Sequence, residues 1–401
     1  MPTRCQLASL VEERLLQRNQ LCEAFFAREA GRLAAACREM SERFLRGGRL
    51  LAFGRGPYAT DAQHVSVEFV HPVIVGKRAL PALDLSILFR PWMEAILRTE
   101  DMVMGFGPPE GDPEVWATLQ EAQQNDAMTF ALPGPDKSDV VGAFSYSVGA
   151  EIEDPFIHQE IVEMLYHTLW ETVHVFFEHR ELGHELGDTA FLYPFLGQEK
   201  QETSGLLNEV AASIQMKVRD DSGLRARLAI EEAEHIGNAT QAIYERVQRG
   251  GKLILFGNGG SATDANDLAI DCVLPPLGYR PVPAVSLALE PANITAVAND
   301  VGTDVIFLRQ LIAQAQPNDV TIGISTSGGS RNIIMALEEA RKRDLLTVAL
   351  LGYDGGEIKQ RQLADFPLVV HCDYIPRIQE VQASMYHIIR ESLEVLYRGQ
   401  A

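Results

Sequence analysis

The sequence is poor in three things, and each shortage argues something away. Cysteine is scarce: five residues in 401 (Cys5, Cys22, Cys37, Cys272, Cys372), an odd total with no C-x-x-C pair. That argues against a disulfide scaffold and fits free thiols in a reducing cytoplasm. Positive charge is short as well. Lys and Arg total 35 against 55 Asp and Glu, a formal charge of -20, so no broad attraction to nucleic acid or anionic lipid is expected. Long apolar runs are also missing. Stretches such as "LTVALLG" have strand length and fall well short of the ~20 residues of a membrane span. The opening "MPTRCQLASLVEERLLQRNQ" is charged and helix-like, without the apolar centre of a signal peptide.

The remaining composition, 46% hydrophobic and 22% charged, is that of a soluble globular protein. A chain of 401 residues can bury two ordinary cores, and the sequence shows how it divides: it repeats itself. "SERFLRGGRLLAFGRGPYATDA" (41–62) lies on "IYERVQRGGKLILFGNGGSATDA" (243–265), with Gly48, Gly54 and Asp61 matching Gly251, Gly257 and Asp264 at a spacing of 203. "EAQQNDAMTFALPG" (121–134) lies on "EARKRDLLTVALLG" (339–352) at a spacing of 218. "QEIVEMLYH" (159–167) lies on "QEVQASMYH" (379–387) at a spacing of 220. Three blocks in one order point to a duplication.

Each half alternates helical periodicity with short apolar strands; in the second half these are "KLILFG", "PAVSLA", "VTIGIS", "LTVALLG" and "FPLVVH". That rhythm predicts an α/β fold: two tandem doubly wound parallel sheets, each flanked by long helices. The expected domains are 1–182 and 204–401. The aperiodic segment 183–203, which carries Phe191, Tyr193 and Phe195, would join them.

Two loops of the second half can hold an oxyanion. "ISTSGGSRNIIMALEEARKR" follows a buried strand and opens a strong helix. Ser325, Thr326, Ser327 and Ser330 bring hydroxyls to a helix start whose free N–H groups and dipole favour negative charge. A lone Ser–Gly turn would be read as an N-cap, but this density points to an anion site. The earlier "GNGGSATDA" (257–265) is a second glycine turn between strand and helix, which serves phosphate binding or close packing alike.

Together "GNGGSATDA", "VANDVGTDVIF", "GISTSGGSRNII" and "RIQEVQASMYH" resemble the sugar isomerase (SIS) domain family, and within it the phosphoheptose isomerases, over most of 243–395. The resemblance implies a domain that binds a phosphorylated sugar and interconverts aldose and ketose. It implies that Ser261, Ser325, Thr326, Ser327 and Ser330 hold the phosphate. Asn258, Glu290 and Asp300 would lie near the sugar, with Glu290 standing where the family usually has aspartate. Family members are oligomers with sites between subunits, so a tandem chain implies a homodimer equivalent to the family's tetramer.

The resemblance also implies a divalent metal, zinc in the family, held by a histidine and a glutamate one helical turn apart with a glutamine and a histidine on the last helix. The glutamate and the last histidine double as the acid–base pair. In the second half these positions read Asp267, Asp271, Gln379 and His387; only the last two match. Carried to the first half through the repeat they read His64, Glu68, Gln159 and His167, and all four match. Two carboxylates with glutamine and histidine form a harder, less zinc-selective set than one with two histidines. The first half lacks the other ingredient. Its counterpart of the hydroxyl loop is "GFGPPEGDPEV" (105–115), where prolines remove donors and Glu110 and Asp112 repel phosphate. One half is thus expected to keep the metal ligands and the other the phosphate loop. The bases would be Glu68 or Asp271, and the acids His167 or His387. The family's substrate-facing arginine falls on Pro275 and on Pro72, which leaves the sugar open. A different class of function, a non-catalytic sugar-phosphate sensor or interaction platform, would account for Asp267, Asp271 and the lost loop. It would not account for the retained first-half quartet.

Overall fold

The computed structural model describes residues 4–72, 77–135, 144–149, 152–181 and 203–399. The expected joining segment 183–203 lies outside them, apart from Thr203. The chain divides into two compact units, Gln20–Asp220 and Met1–Asn19 with Asp221–Ala401.

In the first unit the elements run α1 (Arg4–Leu45), β1 (Leu50–Gly54), α2 (Ala59–Val70), β2 (Ala82–Asp84), α3 (Phe89–Ile96), β3 (Met102–Phe106), α4 (Pro113–Gln124), β4 (Met128–Leu132), β5 (Tyr146–Ser147), α5 (Pro155–Glu181) and α6 (Thr203–Glu231). The strands form a parallel five-stranded sheet in the order β2-β1-β3-β4-β5. β1, β3 and β4 are buried along their whole length, as strands covered on both faces must be. The pleat sorts their side chains: Leu50 and Ala52 enter one core cluster with α1 and α5, and Leu51 and Phe53 another with α3 and α4.

The second unit continues with α7 (Ala233–Gln248), β6 (Leu253–Gly257), α8 (Gly260–Val273), β7 (Ala284–Ser286), α9 (Pro291–Asp300), α10 (Ile306–Gln314), β8 (Val320–Ser325), α11 (Arg331–Lys342), β9 (Leu346–Gly352), α12 (Gly356–Gln360), β10 (Phe366–Val370) and α13 (Ile375–Arg398). Its sheet runs β7-β6-β8-β9-β10, again all parallel, so the spatial order of the five strands repeats that of the first unit. Leu253 and Leu255 face the cluster built with α7, α8 and α13; Ile254 and Phe256 face the one built with α10 and α11. Two helices feed both units. Leu7, Val11 and Leu15 of α1 and Leu224 and Leu228 of α6 belong to the second unit's core, while Cys22 onward in α1 and Leu206–Val218 in α6 belong to the first.

The likeness extends to single hydrogen bonds. Buried Asp101 accepts the backbone N–H of Arg49 (3.0 Å) and of Arg98 (3.0 Å) and pairs with the Arg49 guanidinium. At the matching corner buried Asp319 accepts the N–H of Lys252 (2.9 Å) and of Gln316 (2.8 Å) and pairs with the Lys252 ammonium. Each aspartate ties the start of the first strand to the turn before the third. The Gly-x-Gly turns match too. A Cβ on Gly54 would sit 2.1 Å from Tyr58 O, and one on Gly257 2.1 Å from Ser261 O, so only glycine lets the helix approach the strand end. All five cysteines are free. Among the described residues no helix is long and apolar enough to cross a membrane.

Candidate active site

In an open parallel sheet the ligand crevice lies beyond the carboxyl ends of the strands, where the strand order reverses. In the second unit that point is between β6 and β8, so the 257–261 turn and the 325–330 loop form its walls. Ser325 ends β8, buried; its Oγ lies 3.3 Å from Ser330 Oγ and accepts the N–H of Gly328 (3.2 Å). Ser327 Oγ is exposed and accepts the N–H of Gly329 (3.2 Å). Gly328 holds φ +62°, and a Cβ there would strike Gly355 O at 2.2 Å, so the loop's shape depends on glycine. Ser330 stands at the N-cap of α11 without bonding the helix through its side chain, while Asn332 Oδ1 accepts the first-turn N–H of Ile333 (2.9 Å). Ser261 sits in the first turn of α8. The walls are clasped by two amides: Asn258 Nδ2 donates to Asn332 Oδ1 and Asn332 Nδ2 to Asn258 Oδ1, both at 2.9 Å. Asn332 lies in the serine-rich stretch, but its partner is visible only in the fold. Glu290, at the N-cap of α9, accepts from Asn293 (2.8 Å), and Asp300, at its end, from Asn299 (2.9 Å). Both are exposed and bonded locally.

The first unit carries the same frame with different contents. Position for position, residues 107–112 stand for 325–330, and α4 begins at Pro113 as α11 begins at Arg331. Here Asp112 caps the helix, its Oδ1 accepting the N–H of Glu114 (2.8 Å) and Val115 (3.2 Å). Its Oδ2 and Glu114 Oε2 pair with Arg55 Nη1 at 3.2 and 2.9 Å. Arg55 and Glu114 occupy the positions of Asn258 and Asn332, so an ion pair replaces the amide clasp. The helix start that would receive a phosphate already holds a carboxylate of the chain itself. His158 opens α5, and its ring nitrogen donates to Gly107 O (3.2 Å); burial pushes its pKa down to about 4, so it stays neutral.

The candidate metal ligands meet as two sets. In the first unit α2 and α5 bring His64 Nε2 within 3.4 Å of His167 Nε2 and 3.7 Å of Glu68 Oε1. All three are buried, and both Glu68 oxygens lie buried without a hydrogen-bond partner. Gln159 turns its amide nitrogen to Thr60 Oγ1 and Asp61 Oδ2, 3.4 Å each. In the second unit α8 and α13 place His387 Nε2 3.4 Å from Asp267 Oδ2 and 3.4 Å from Asp271 Oδ2. These too are buried, and Tyr386 donates to Asp267 Oδ2 (2.9 Å). Burial, then the charge of Asp267, pushes the Asp271 carboxyl up to about 6, with His387 acting the other way. Gln379 is buried with its Oε1 unbonded. Ligands about 2.1 Å from a tetrahedral ion lie roughly 3.4 Å apart, so both sets have spacings that suit one ion. The Glu68 carboxylate, buried with neither oxygen hydrogen-bonded, is the strongest sign of a fit, since burying a polar group without hydrogen bonds is costly.

The second unit is therefore a doubly wound α/β domain with a crevice lined by hydroxyls and amides and a buried carboxylate–histidine set. Comparison with known proteins gives that class its family. The SIS domain model matches residues 221–352. The phosphoheptose isomerase of Geobacter sp. (strain M21) is 40% identical over 190 residues, 47% of this chain and 96% of the relative. That of Citrifermentans bemidjiense is 43% identical over 160 residues, 40% of this chain and 82% of the relative. The chain belongs to the SIS domain family, in its phosphoheptose isomerase branch. The C-terminal domain of glucosamine-fructose-6-phosphate aminotransferase from Francisella tularensis shares the fold over 96% of both chains, with TM-score 0.61 and 8% identity.

Proposed function

We propose that the chain is a phosphosugar aldose–ketose isomerase, acting through its second unit. The observation that carries this is the cradle at the β6/β8 switch point, in the half that is similar to phosphoheptose isomerases. Ser261, Ser325, Thr326, Ser327 and Ser330 with the α11 N–H groups would bind the phosphate, and Asn258, Glu290 and Asp300 the sugar. A carboxylate, Asp271, takes the proton from the carbon beside the carbonyl, giving an enediol. His387 moves protons between the two neighbouring oxygens, and return of the carbon-bound proton to the other carbon completes the isomerisation without net redox change. A divalent ion held by Asp267, Asp271, Gln379 and His387 would supply carbonyl polarisation. In the first unit His64, Glu68 and His167, with Gln159 on the same face of the family pattern, would hold zinc. Glu68 and His167 would be the corresponding base and acid there. Two chains, each with two units, would form the homodimer that reproduces a tetramer of single-domain relatives, working in the cytoplasm.

The test is a panel of aldose and ketose phosphates followed by NMR, with metal content measured on the same sample. Interconversion of one pair that is lost in Asp271→Asn supports the proposal; no turnover of any pair overturns it. Burial of both carboxylate–histidine sets favours a second reading, a sugar-phosphate sensor that binds at the loop without turnover. Calorimetry would identify it by phosphosugar binding in a chain that isomerises nothing.

A further inference from the structure

The two carboxylate–histidine sets have nearly the same spacing and different donors. His64 and His167 bring two imidazole nitrogens to one carboxylate, with contacts of 3.4 and 3.7 Å. Asp267, Asp271 and His387 bring two carboxylates to one nitrogen, with contacts of 3.4 and 3.4 Å. These contact lengths do not separate the ions the two sets would take, and ligand chemistry must.

We propose that the two sets sort divalent ions: His64–Glu68–His167 takes zinc, and Asp267–Asp271–His387 with Gln379 takes a harder ion, probed as manganese(II). Imidazole nitrogen suits zinc, whereas carboxylate and carbonyl oxygen suit manganese, magnesium and calcium. In the second set Asp271 Oδ2 is buried, has no hydrogen-bond partner and lies 3.4 Å from His387 Nε2, so it points into the cluster. The unbonded Gln379 Oε1, also buried, is a further hard oxygen on α13. Manganese(II) is the probe for this harder set, because it shares the preference for carboxylate oxygen and its binding is read directly by electron paramagnetic resonance. Zinc outbinds manganese at most nitrogen and oxygen sites, so the sorting lies in the ratio of the two affinities. The inference rests on the proposed function only in treating both sets as ion sites.

The test uses the full chain, stripped by chelator and given one equivalent of zinc with excess manganese. Elemental analysis should then find one zinc and one manganese per chain, with the bound manganese visible by electron paramagnetic resonance. Asp271→Asn should abolish the manganese signal and leave zinc in place. Asp267→His combined with Asp271→Glu copies the first unit's donors into the second. Displacing manganese from it should take at least about 10-fold less zinc than in the wild type, in line with the 10–100-fold losses that lesser changes around metal sites cause. Manganese that survives in Asp271→Asn would overturn the inference, as would equal zinc requirements in wild type and double variant. The wild-type competition decides even where a variant fails to fold, since a chain that keeps its one equivalent of zinc and takes up no manganese from that mixture also refutes it. A wild type that sorts both ions but isomerises no phosphosugar would overturn the proposed function and leave this assignment standing.

Discussion

The loop at 107–112 and the loop at 325–330 follow the same strand of the same sheet order and open helices at matching positions. One is lined with Ser325, Ser327 and Ser330, and its N-cap Ser330 makes no side-chain bond to the helix. In the other the helix start is capped by the carboxylate of Asp112, which is itself neutralised by Arg55. The frame is common to both, so what decides whether a strand–helix turn can receive an anion is whether the chain has already placed one there. The two carboxylate–histidine sets teach a parallel lesson, with similar contact lengths and exchanged donors.

The largest effect expected from breaking this comparison is catalytic. Asp271→Asn and His387→Ala should each lower kcat by roughly 100- to 10,000-fold, as loss of a general acid–base group does. Glu68→Gln should spare much more of the rate if the second unit carries the reaction; steady-state kinetics on the three variants ranks them. Next come the two corner aspartates, which should behave alike. Asp101→Ala and Asp319→Ala each strip two backbone N–H groups and a basic side chain of a buried partner. Each should cost about 2–4 kcal/mol of unfolding free energy by urea titration. Unequal losses would show that the halves differ more than their hydrogen bonds suggest.

One pH effect should come from the first unit. His158 has a pKa near 4 when folded against 6.5 unfolded, so the unfolded chain binds its proton first as pH falls. Its contribution is complete above pH 6.5 and is lost between 6.5 and 4, up to roughly 3 kcal/mol. In His158→Gln that part of the slope should vanish. At the second unit's equivalent position, Ile378 can show none. The smallest effects come from exchanging loop residues. Ser330→Asp should raise the phosphosugar KM by on the order of 10- to 100-fold, by setting a carboxylate at the helix start. Asp112→Ser should cost about 1 kcal/mol or less as one cap replaces another. It should create no phosphate affinity, because Pro108 and Pro109 still lack N–H groups. Calorimetric phosphate binding by Asp112→Ser would contradict this account of the loop.

Much of this was legible in the chain. The blocks at spacings of 203, 218 and 220 and the alternation of strands with helices carried the two parallel sheets, because burial on both faces writes a continuous apolar run. The serine-rich loop was legible because strand end, hydroxyls and helix start are adjacent in sequence. Arg55 was not. Nothing near it names Asp112 and Glu114, some sixty residues on, as its partners. The same holds for Asn258 with Asn332 and for Tyr386 with Asp267.

The sequence by itself determined which elements form, in what order, and which loops hold donors, since these follow from local periodicity and residue chemistry. Only the tertiary structure decided which side chains meet. His64 and His167 come within 3.4 Å across 103 residues because α2 packs on α5, and His387 lies between Asp267 and Asp271 because α13 packs on α8. Convergence of that kind is a property of helix packing in three dimensions, and no local pattern encodes it.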